Sequence, residues 1–313
     1  MPQSSYLFRV HISPISTPIA TGRAERRRRP TARTMMLLIF LLAASTEEVH
    51  LHKAVEKNDL EAIKAHVQAG MSVNKPDDSN ATPLHVAAML GHTDAIKALL
   101  DAGAMLEAKD EHMATPLLWA ADNNAAKAIQ ILVEAGAVVD VVDDRTASPL
   151  HVAAFQGGAD AVKALIKAGA RIDAQDSQMA TPLHVAASSG AVEVVRVLVE
   201  AGAATDVQDE GRATPLHVAA GVGGVEVVRA LVQAGALIDA QDGNEATPLH
   251  VAAAEGHPDQ VEMIRALMKA GAATDVRDNQ QNTPLQVAFE VGNSDAAEVI
   301  QALSSERERK DEL

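Results

Sequence analysis

From Val49 onward, apolar and polar residues follow a pattern that recurs along the chain. A block rich in Ala, Val and Leu follows each Thr-Pro or Ser-Pro pair. A second block follows with apolar residues three or four positions apart, as in AIKALLDAG (95–103) and VEVVRVLVEAG (192–202). This spacing places apolar side chains on one face of an α-helix. The pattern therefore predicts pairs of helices, the first slim and the second amphipathic, separated by polar turns.

One seven-residue string marks the start of each pair. TPLHVAA begins at Thr82, Thr181, Thr214 and Thr247, and variants of it begin at Val49, Thr115, Ser148 and Thr283. The starts are 33 residues apart from Val49 to Thr247, and the last interval is 36 residues. Eight copies in register indicate a repeat protein, in which each unit buries its apolar faces only against its neighbours. We number the units one to eight in chain order.

Residues typical of helix starts, helix ends and turns stand where a repeat of two helices needs them. Thr-Pro is typical of a helix start, where Pro loses no backbone donor. Glycines nine residues after the Thr or Ser are expected to end the first helix, and Gly103 and Gly202 to cap the second. An Asp stands five residues before the Thr or Ser in units two to eight, and we interpret it as a turn residue that binds its own local backbone. These Asp residues are Asp77, Asp110, Asp143, Asp176, Asp209, Asp242 and Asp278.

The repeat resembles the ankyrin repeat over about residues 47–306. The resemblance implies a mainly α-helical solenoid of stacked antiparallel helix pairs with β-hairpin fingers, curved and on the order of 80 Å long, with its first and last units as caps. Ankyrin repeats usually place Gly two residues before the Thr. Because a left-handed conformation is costly for other residues, we expect a modified turn here. The residues at this position are Asn80, Met113, Thr146, Met179, Arg212, Glu245 and Gln281.

Histidines recur once per unit, which raises the possibility of a metal-binding or pH-sensing row. They are His52, His85, His151, His184, His217 and His250. Neighbours one unit apart lie about 10 Å from each other, too far for one metal whose bonds are near 2 Å. The resemblance instead implies that they brace the finger and the adjacent unit by hydrogen bonds. Leu118 and Gln286 break the row without breaking the repeat, which favours bracing.

Composition and charge argue against several classes of function. The chain has no cysteine, which excludes disulfides, thiolate metal sites and a Cys nucleophile. No catalytic motif stands outside the repeat, so we expect no enzyme activity, no cofactor and no metal. Residues 47–313 carry 20 basic and 41 acidic side chains, a balance that disfavours nucleic acid as a partner. An enzyme or regulatory subunit with its site on the scaffold is the less favoured alternative.

Two rows vary most from copy to copy: the finger tips and the ends of the first helices. In ankyrin proteins these rows line a concave groove, so the resemblance implies that they bind a protein partner. Neutral drift at exposed positions is the alternative, and for Trp119 a packing role in the stack is the alternative. The predicted partner-binding residues are Glu111, His112, Met113, Trp119, Asp122, Asn123, Arg145, Phe155, Gln156, Met179, Ser188 and Arg212.

The two ends of the chain resemble targeting signals. Residues 1–45 join a basic stretch to the apolar run 35–44, which predicts a signal peptide cleaved before Thr46. A mitochondrial transit peptide, an uncleaved anchor and a later start at Met35 or Met36 are alternatives. Residues 307–313 form a predicted polar tail after the repeat domain 46–306. Its last residues, Lys310, Asp311, Glu312 and Leu313, match a retrieval signal that is read by a KDEL-type receptor.

These features predict a monomeric protein-binding scaffold, retained in the lumen of the endoplasmic reticulum, with no membrane span in the mature chain. A cytosolic or secreted adaptor whose ends only mimic targeting signals is the alternative, and so is a mitochondrial location. Unit seven carries three extra residues within HPDQ (257–260). Pro258 predicts a second helix that starts one turn early there.

Overall fold

The computed structural model describes residues 51–311, apart from the side chains of Glu308, Lys310 and Asp311. The predicted signal peptide, residues 1–45, lies outside the described residues, as do Glu312 and Leu313 of the predicted retrieval signal. Within residues 51–311 the regular structure is helical, and no strand is assigned. These residues form a solenoid of helix pairs, as predicted.

The first helices begin at the proline of each Thr-Pro or Ser-Pro pair. Unit one contributes residues 51–56, and the later first helices are Pro83–Met89, Pro116–Asp122, Pro149–Phe155, Pro182–Ser188, Pro215–Val222, Pro248–Ala254 and Pro284–Glu290. The Thr or Ser before each proline has an extended backbone, as at Thr181 with φ −94° and ψ 165°. Because proline needs no hydrogen-bond partner for a backbone N–H, it occupies the first turn without loss.

The second helices are amphipathic. They are Leu60–Gln68, Thr93–Asp101, Ala126–Glu134, Ala159–Lys167, Val192–Glu200, Val225–Gln233, Gln260–Lys269 and Ser294–Asp311. Glycines that follow most of them adopt a left-handed conformation, for example Gly103 with φ 86° and Gly202 with φ 94°. First helices pack against the first helices of adjacent units, and second helices against second helices. The core consists of small layers of Ala, Val, Leu and Ile.

Units one to seven are joined in sequence through side chains in the loop that follows each second helix. Asp206 Oδ1 accepts the backbone N–H of Leu237 at 2.7 Å, and Asp173 Oδ1 accepts that of Ala204 at 3.1 Å. The same bond recurs along the solenoid. Its other acceptors are Asn74, Glu107, Asp140 and Asp239. Part of the acidic composition is therefore structural, because these oxygens satisfy backbone donors of the next unit.

The fingers are tight turns without a β-ladder in the described residues. In unit five, Asp176 Oδ1 accepts the N–H groups of Gln178 and Ala180 at 2.8 and 3.0 Å. The Asp176 N–H donates to the Ala180 carbonyl at 3.0 Å and closes the loop. The prediction that this Asp is a turn residue is confirmed, since the Asp in every unit from two to eight accepts at least one such bond.

The expectation of a modified turn at the finger tips is wrong. All seven residues in the position of the usual Gly have positive φ, from 57° at Met179 to 66° at Asn80 and Gln281. The left-handed conformation costs about 1–2 kcal/mol for a residue with a Cβ. Hydrogen bonds to a charged acceptor contribute about 1.5–3 kcal/mol each, so the bonds to the finger Asp, one in unit six and two in each of the others, offset this cost.

The insertion in unit seven changes the turn between its two helices. The second helix begins at Gln260, so the prediction that Pro258 starts it is wrong; residues 258–259 form a turn. Gln260 is buried and its Nε2 donates to the Ala252 carbonyl at 2.6 Å. His257 Nε2 lies 3.0 Å from the Gly221 carbonyl oxygen in unit six. His92 of unit two makes the same bond to unit one, so this contact does not depend on the insertion, whereas Gln260 ties the start of the second helix to the first helix of its own unit.

The last helix continues to Asp311, into the segment that was predicted as a polar tail. Arg307 Nη1 donates to the Ala272 carbonyl at 3.2 Å and ties this extension to unit seven. The last unit is not polar throughout, because Phe289 and Val291 are 63% and 54% exposed. In units two to seven the position equivalent to Phe289 is an alanine that the next unit covers, such as the fully buried Ala187.

Candidate functional site

The fingers and the first helices share one surface of the solenoid. Adjacent fingers are linked by backbone hydrogen bonds, including Glu111 N–H to Ser79 O at 3.1 Å and Gly243 N–H to Gly211 O at 2.8 Å. First helices also reach the finger of the next unit, as where His85 Nε2 lies 3.1 Å from the Ala114 carbonyl oxygen. We name this surface the finger face and define it by the tips and first-helix ends of units two to seven. It comprises residues 78–80, 111–113, 144–146, 177–179, 210–212 and 243–245, with 89–90, 122–123, 155–156, 188–189, 221–222 and 254–255.

The histidine row lies beneath this surface and braces it. In unit five the Thr181 N–H donates to His184 Nδ1 at 3.1 Å, which leaves Nε2 to carry the proton and donate to the Ala213 carbonyl of unit six at 3.0 Å. The Thr181 hydroxyl lies 2.9 Å from the same Nδ1. Units two, four, six and seven repeat the arrangement, and His52 Nε2 lies 3.1 Å from the Ala81 carbonyl. The bracing interpretation is confirmed.

Burial lowers the pKa of four of these histidines below 6.5, because it disfavours the imidazolium. They are His85, His151, His184 and His217. The carbonyl acceptor and the finger aspartates on either side act in the opposite direction, raising the pKa, and are outweighed by burial. A finger carboxyl is affected as well. Burial raises the pKa of Asp143, while the N–H groups of Ala147 and Arg145 oppose this. These four sites therefore favour neutral histidine.

Unit three departs from this arrangement. Leu118 stands where His is expected, and the buried Thr115 Oγ1 has no hydrogen-bond partner within the described residues. Trp119 follows in place of Val. Its Nε1 donates to Asp110 Oδ2 at 2.8 Å, and its ring meets that of His85 edge to face, with centroids 5.3 Å apart. The half-buried Trp119 thus joins its own finger to unit two, which favours the packing alternative for this residue.

The other predicted site residues lie on the finger face. Glu111, His112, Met113, Asn123, Arg145, Phe155, Gln156, Met179, Ser188 and Arg212 are exposed, and Asp122 is half-buried. Met113, Phe155 and Met179 expose 46%, 45% and 48% of their surface. Three bulky apolar side chains therefore lie at the surface of three consecutive units.

Some of these residues are in contact. Gln156 Nε2 of unit four donates to Asp122 Oδ1 of unit three at 2.7 Å. His112 Nδ1 lies 3.5 Å from Asp144 Oδ2, and its Nε2 lies 3.9 Å from Glu111 Oε1. Asn123 Nδ2 lies 3.3 Å from the Trp119 carbonyl. Units three and four are thus cross-linked by polar side chains at both the fingers and the helix ends.

The predicted set leaves out several exposed residues of the same surface, and three of them concern pairing or apolar exposure. Asp144 pairs with His112, and Leu90 and Val222 expose 42% and 43% of their surface at helix ends. The drift from copy to copy marked all three positions as variable. Phe155 was selected because its aromatic side chain is much larger than its counterparts in the other units. Leu90 and Val222 were not selected, although they lie at the next position of the first-helix end.

Across residues 51–311, no cluster of three or more His, Cys, Asp or Glu side chains is arranged to hold a metal ion. None of the helices in this range is both long and apolar enough to cross a bilayer.

Comparisons with known proteins agree with the geometry. A family model described as ankyrin repeats (3 copies) matches residues 51–143, 118–209, 150–242 and 216–311. The human ASB11 ankyrin repeat domain is similar at 31% identity and a TM-score of 0.64, over 71% of this chain and 98% of that one. The ankyrin repeat domain of Bcl-3, a member of the IkappaB protein family, is 26% identical with a TM-score of 0.62, over 72% and 100% of the two chains. No curated protein matches the sequence.

Proposed function

Because the chain belongs to the ankyrin-repeat family, we propose that it is a non-enzymatic scaffold that binds a protein partner on its finger face. Ankyrin-repeat domains are typically protein–protein interaction scaffolds and are generally non-enzymatic. One observation carries the assignment to this face. In units two to seven the buried Leu-x-x-Ala-Ala residues of the first helix are the same in every copy, whereas exposed positions on the finger face differ and carry Met113, Phe155 and Met179.

The mechanism is binding to a surface that is already ordered. Each finger is closed by hydrogen bonds to its Asp, and each is braced from below by the adjacent His where one is present. Bulky apolar groups on such a surface bury area against a partner without a large cost of ordering the backbone. Residues of this kind, clustered near the centre of a binding surface, usually contribute most of the binding energy.

Serine substitutions on two surfaces test this proposal. One variant of the full chain combines Met113→Ser, Phe155→Ser and Met179→Ser. Its matched control combines Met105→Ser, Val138→Ser and Leu237→Ser, which are 56%, 54% and 61% exposed in the loops after the second helices. Both variants remove three exposed apolar side chains, but only the first removes them from the finger face.

The readout is the set of proteins that co-purify with the immobilised chain from a lumenal extract, together with the circular dichroism of each variant. We expect captured proteins to be lost with the first variant and retained with the control. If every captured protein bound both variants as it binds the parent chain, the finger face would not be the binding surface.

We also propose that the chain is retained in the lumen of the endoplasmic reticulum as a monomer. Residues 1–45 and the terminal Lys310 to Leu313 support the location, but not the monomeric state, as sequence patterns. The test follows the full chain and a version without its last four residues in cells, with mass spectrometry of the mature N-terminus. We expect a start near Thr46 and secretion of the shortened version. Retention that did not depend on the last four residues would refute the proposal and favour the cytosolic adaptor.

A further inference from the structure

Charge is distributed differently on the finger face and on the second helices. The finger face carries seven carboxylates and two guanidinium groups. The carboxylates are Asp78, Glu111, Asp122, Asp144, Glu210, Glu245 and Glu255, and the guanidinium groups are Arg145 and Arg212. All of these except Asp122 are exposed. The finger aspartates beneath the tips add further negative charge.

The second helices of units two to seven are balanced by comparison. Their eight acidic residues are Asp94, Asp101, Glu134, Asp160, Glu193, Glu200, Glu226 and Glu262. Their eight basic residues are Lys97, Lys127, Lys163, Lys167, Arg196, Arg229, Arg265 and Lys269. Opposite charges meet on this surface, where Arg229 Nη1 lies 2.6 Å from Glu226 Oε1 and Nη2 contacts Glu262. The net negative charge of units two to seven is therefore not spread evenly over their surface.

Apolar groups lie within the negative surface. Met113 is adjacent to His112 in a tip that also holds Glu111, and the next tip brings Asp144 beside His112. Phe155 immediately precedes Gln156, whose side chain bonds to Asp122. A partner that covers Met113 and Phe155 thus also covers carboxylates. Those carboxylates would be desolvated, and cationic groups on the partner compensate best for that cost.

We propose that the finger face binds a protein segment in which Lys or Arg side chains alternate with apolar ones. This inference rests on the proposed function and adds the chemistry of the partner. The Debye length is about 8 Å at physiological ionic strength, so charges one unit apart, at about 10 Å, are already partly screened. The cationic groups must then lie close to the face, on the same segment that contacts Met113, Phe155 and Met179.

Charge-matched variants and defined peptides test the inference. One full-chain variant carries Glu111→Gln, Asp122→Asn, Asp144→Asn and Glu210→Gln. Its control carries Asp94→Asn, Glu134→Gln, Asp160→Asn and Glu193→Gln on the second helices. Both variants lose the same number of negative charges. The probes are two fluorescent pools of 15-residue peptides of about equal apolar content, one made with Lys and Arg and the other with Asp and Glu. Binding is followed by fluorescence anisotropy at low and physiological salt.

We expect the basic pool to bind the parent chain at least about tenfold more tightly than the acidic pool. The finger-face variant should lose about tenfold in affinity, and the control should lose less than about twofold. Added salt should weaken binding of the parent chain more than binding of the finger-face variant.

Three results would overturn the inference. The acidic pool would bind as tightly as the basic one, the control would weaken binding as much as the finger-face variant, or the finger-face variant would bind unchanged. The triple serine variant on Met113, Phe155 and Met179 separates this failure from that of the proposed function. If it still weakened binding of either pool, the finger face would remain the binding surface and only the basic character of the partner would be refuted.

Discussion

Asn124 of unit three occupies the space that a side chain at residue 158 of unit four would need. A Cβ built on Gly158 would lie 1.6 Å from Asn124 Oδ1 and 3.1 Å from its Cβ. Most other units have a left-handed Gly at the position of Asn124. Asn124 adopts the same left-handed conformation, with φ 53°, but adds a side chain. Ala125 and Ala191, in the units on either side, occupy the position of Gly158 without conflict. Residues 124 and 158 are thus matched to each other across an interface between units.

This match predicts a coupled effect of two substitutions. Gly158→Ala should lower the free energy of unfolding by about 1 kcal/mol, because the exposed Asn124 side chain must turn away and lose its contact with the Gln156 carbonyl. In an Asn124→Gly background the same change should cost less than about 0.5 kcal/mol. Urea unfolding of the four chains measures the coupling. Gly224→Ala is the matched control, since its nearest contact would be an ordinary 3.5 Å to Val227 Cβ. Equal costs in the two backgrounds would contradict the prediction.

The missing histidine of unit three predicts a difference between two identical substitutions. Thr115→Val should change the free energy of unfolding by less than about 0.5 kcal/mol or raise it, because the buried Oγ1 has no partner to lose. Thr181→Val removes a hydroxyl 2.9 Å from His184 Nδ1 and should cost about 1 kcal/mol. Urea unfolding compares the two variants. An equal cost at both sites would show that Thr115 Oγ1 is as well satisfied as its counterpart.

The left-handed finger tips predict that glycine stabilises the chain at one position and not at its neighbour. Thr146 has φ 62°, a conformation that a β-branched residue adopts at high cost. Thr146→Gly should therefore raise the free energy of unfolding by about 1 kcal/mol after the entropic cost of glycine. Arg145→Gly, one residue earlier and not left-handed, should lower it. Thermal or urea unfolding that ranked the two variants in the opposite order would contradict the strain argument.

Much of this fold could be predicted because one unit is repeated. Thr181, His184 and Asp176 have counterparts at the same offset in most units, and those counterparts repeat the same bonds, so the helix starts, the bracing and the finger turns followed from the pattern. The proposed binding surface could be predicted in outline because positions that differ from copy to copy are not needed for the repeated contacts and are therefore expected to be exposed. Met113, Phe155 and Met179 stand where copies differ, and all three are exposed.

The features that could not be predicted from the sequence depend on side-chain hydrogen bonds that compete with local conformational preferences. The tip at Met179 stays left-handed because two hydrogen bonds to Asp176 outweigh its strain, which a rule about glycine alone does not weigh. In unit seven the insertion starts its helix at Gln260 because that side chain bonds to the end of the preceding helix. The role of Trp119 depends on its bond to Asp110, nine residues earlier, which no local periodicity predicts.

The neutral histidines predict acid sensitivity. Burial holds the pKa of His85, His151, His184 and His217 below 6.5 in the folded chain, whereas in the unfolded chain it is near 6.5. Below about pH 6.5 the unfolded chain therefore binds more protons, and the free energy of unfolding falls as the pH falls. This stabilising contribution is complete above that pH.

Unit eight supplies the matched variant for this test, because Gln286 Oε1 accepts the Thr283 N–H at 2.9 Å in the place of a histidine. A chain with His→Gln at residues 85, 151, 184 and 217 should keep the bond at each helix start and lose the titrating group. It should be less stable at pH 7.5, since the bond to the next unit is weakened. Its free energy of unfolding should also change less between pH 7.5 and pH 5. Urea midpoints at several pH values measure both effects, and an unchanged slope would assign the acid sensitivity to other groups.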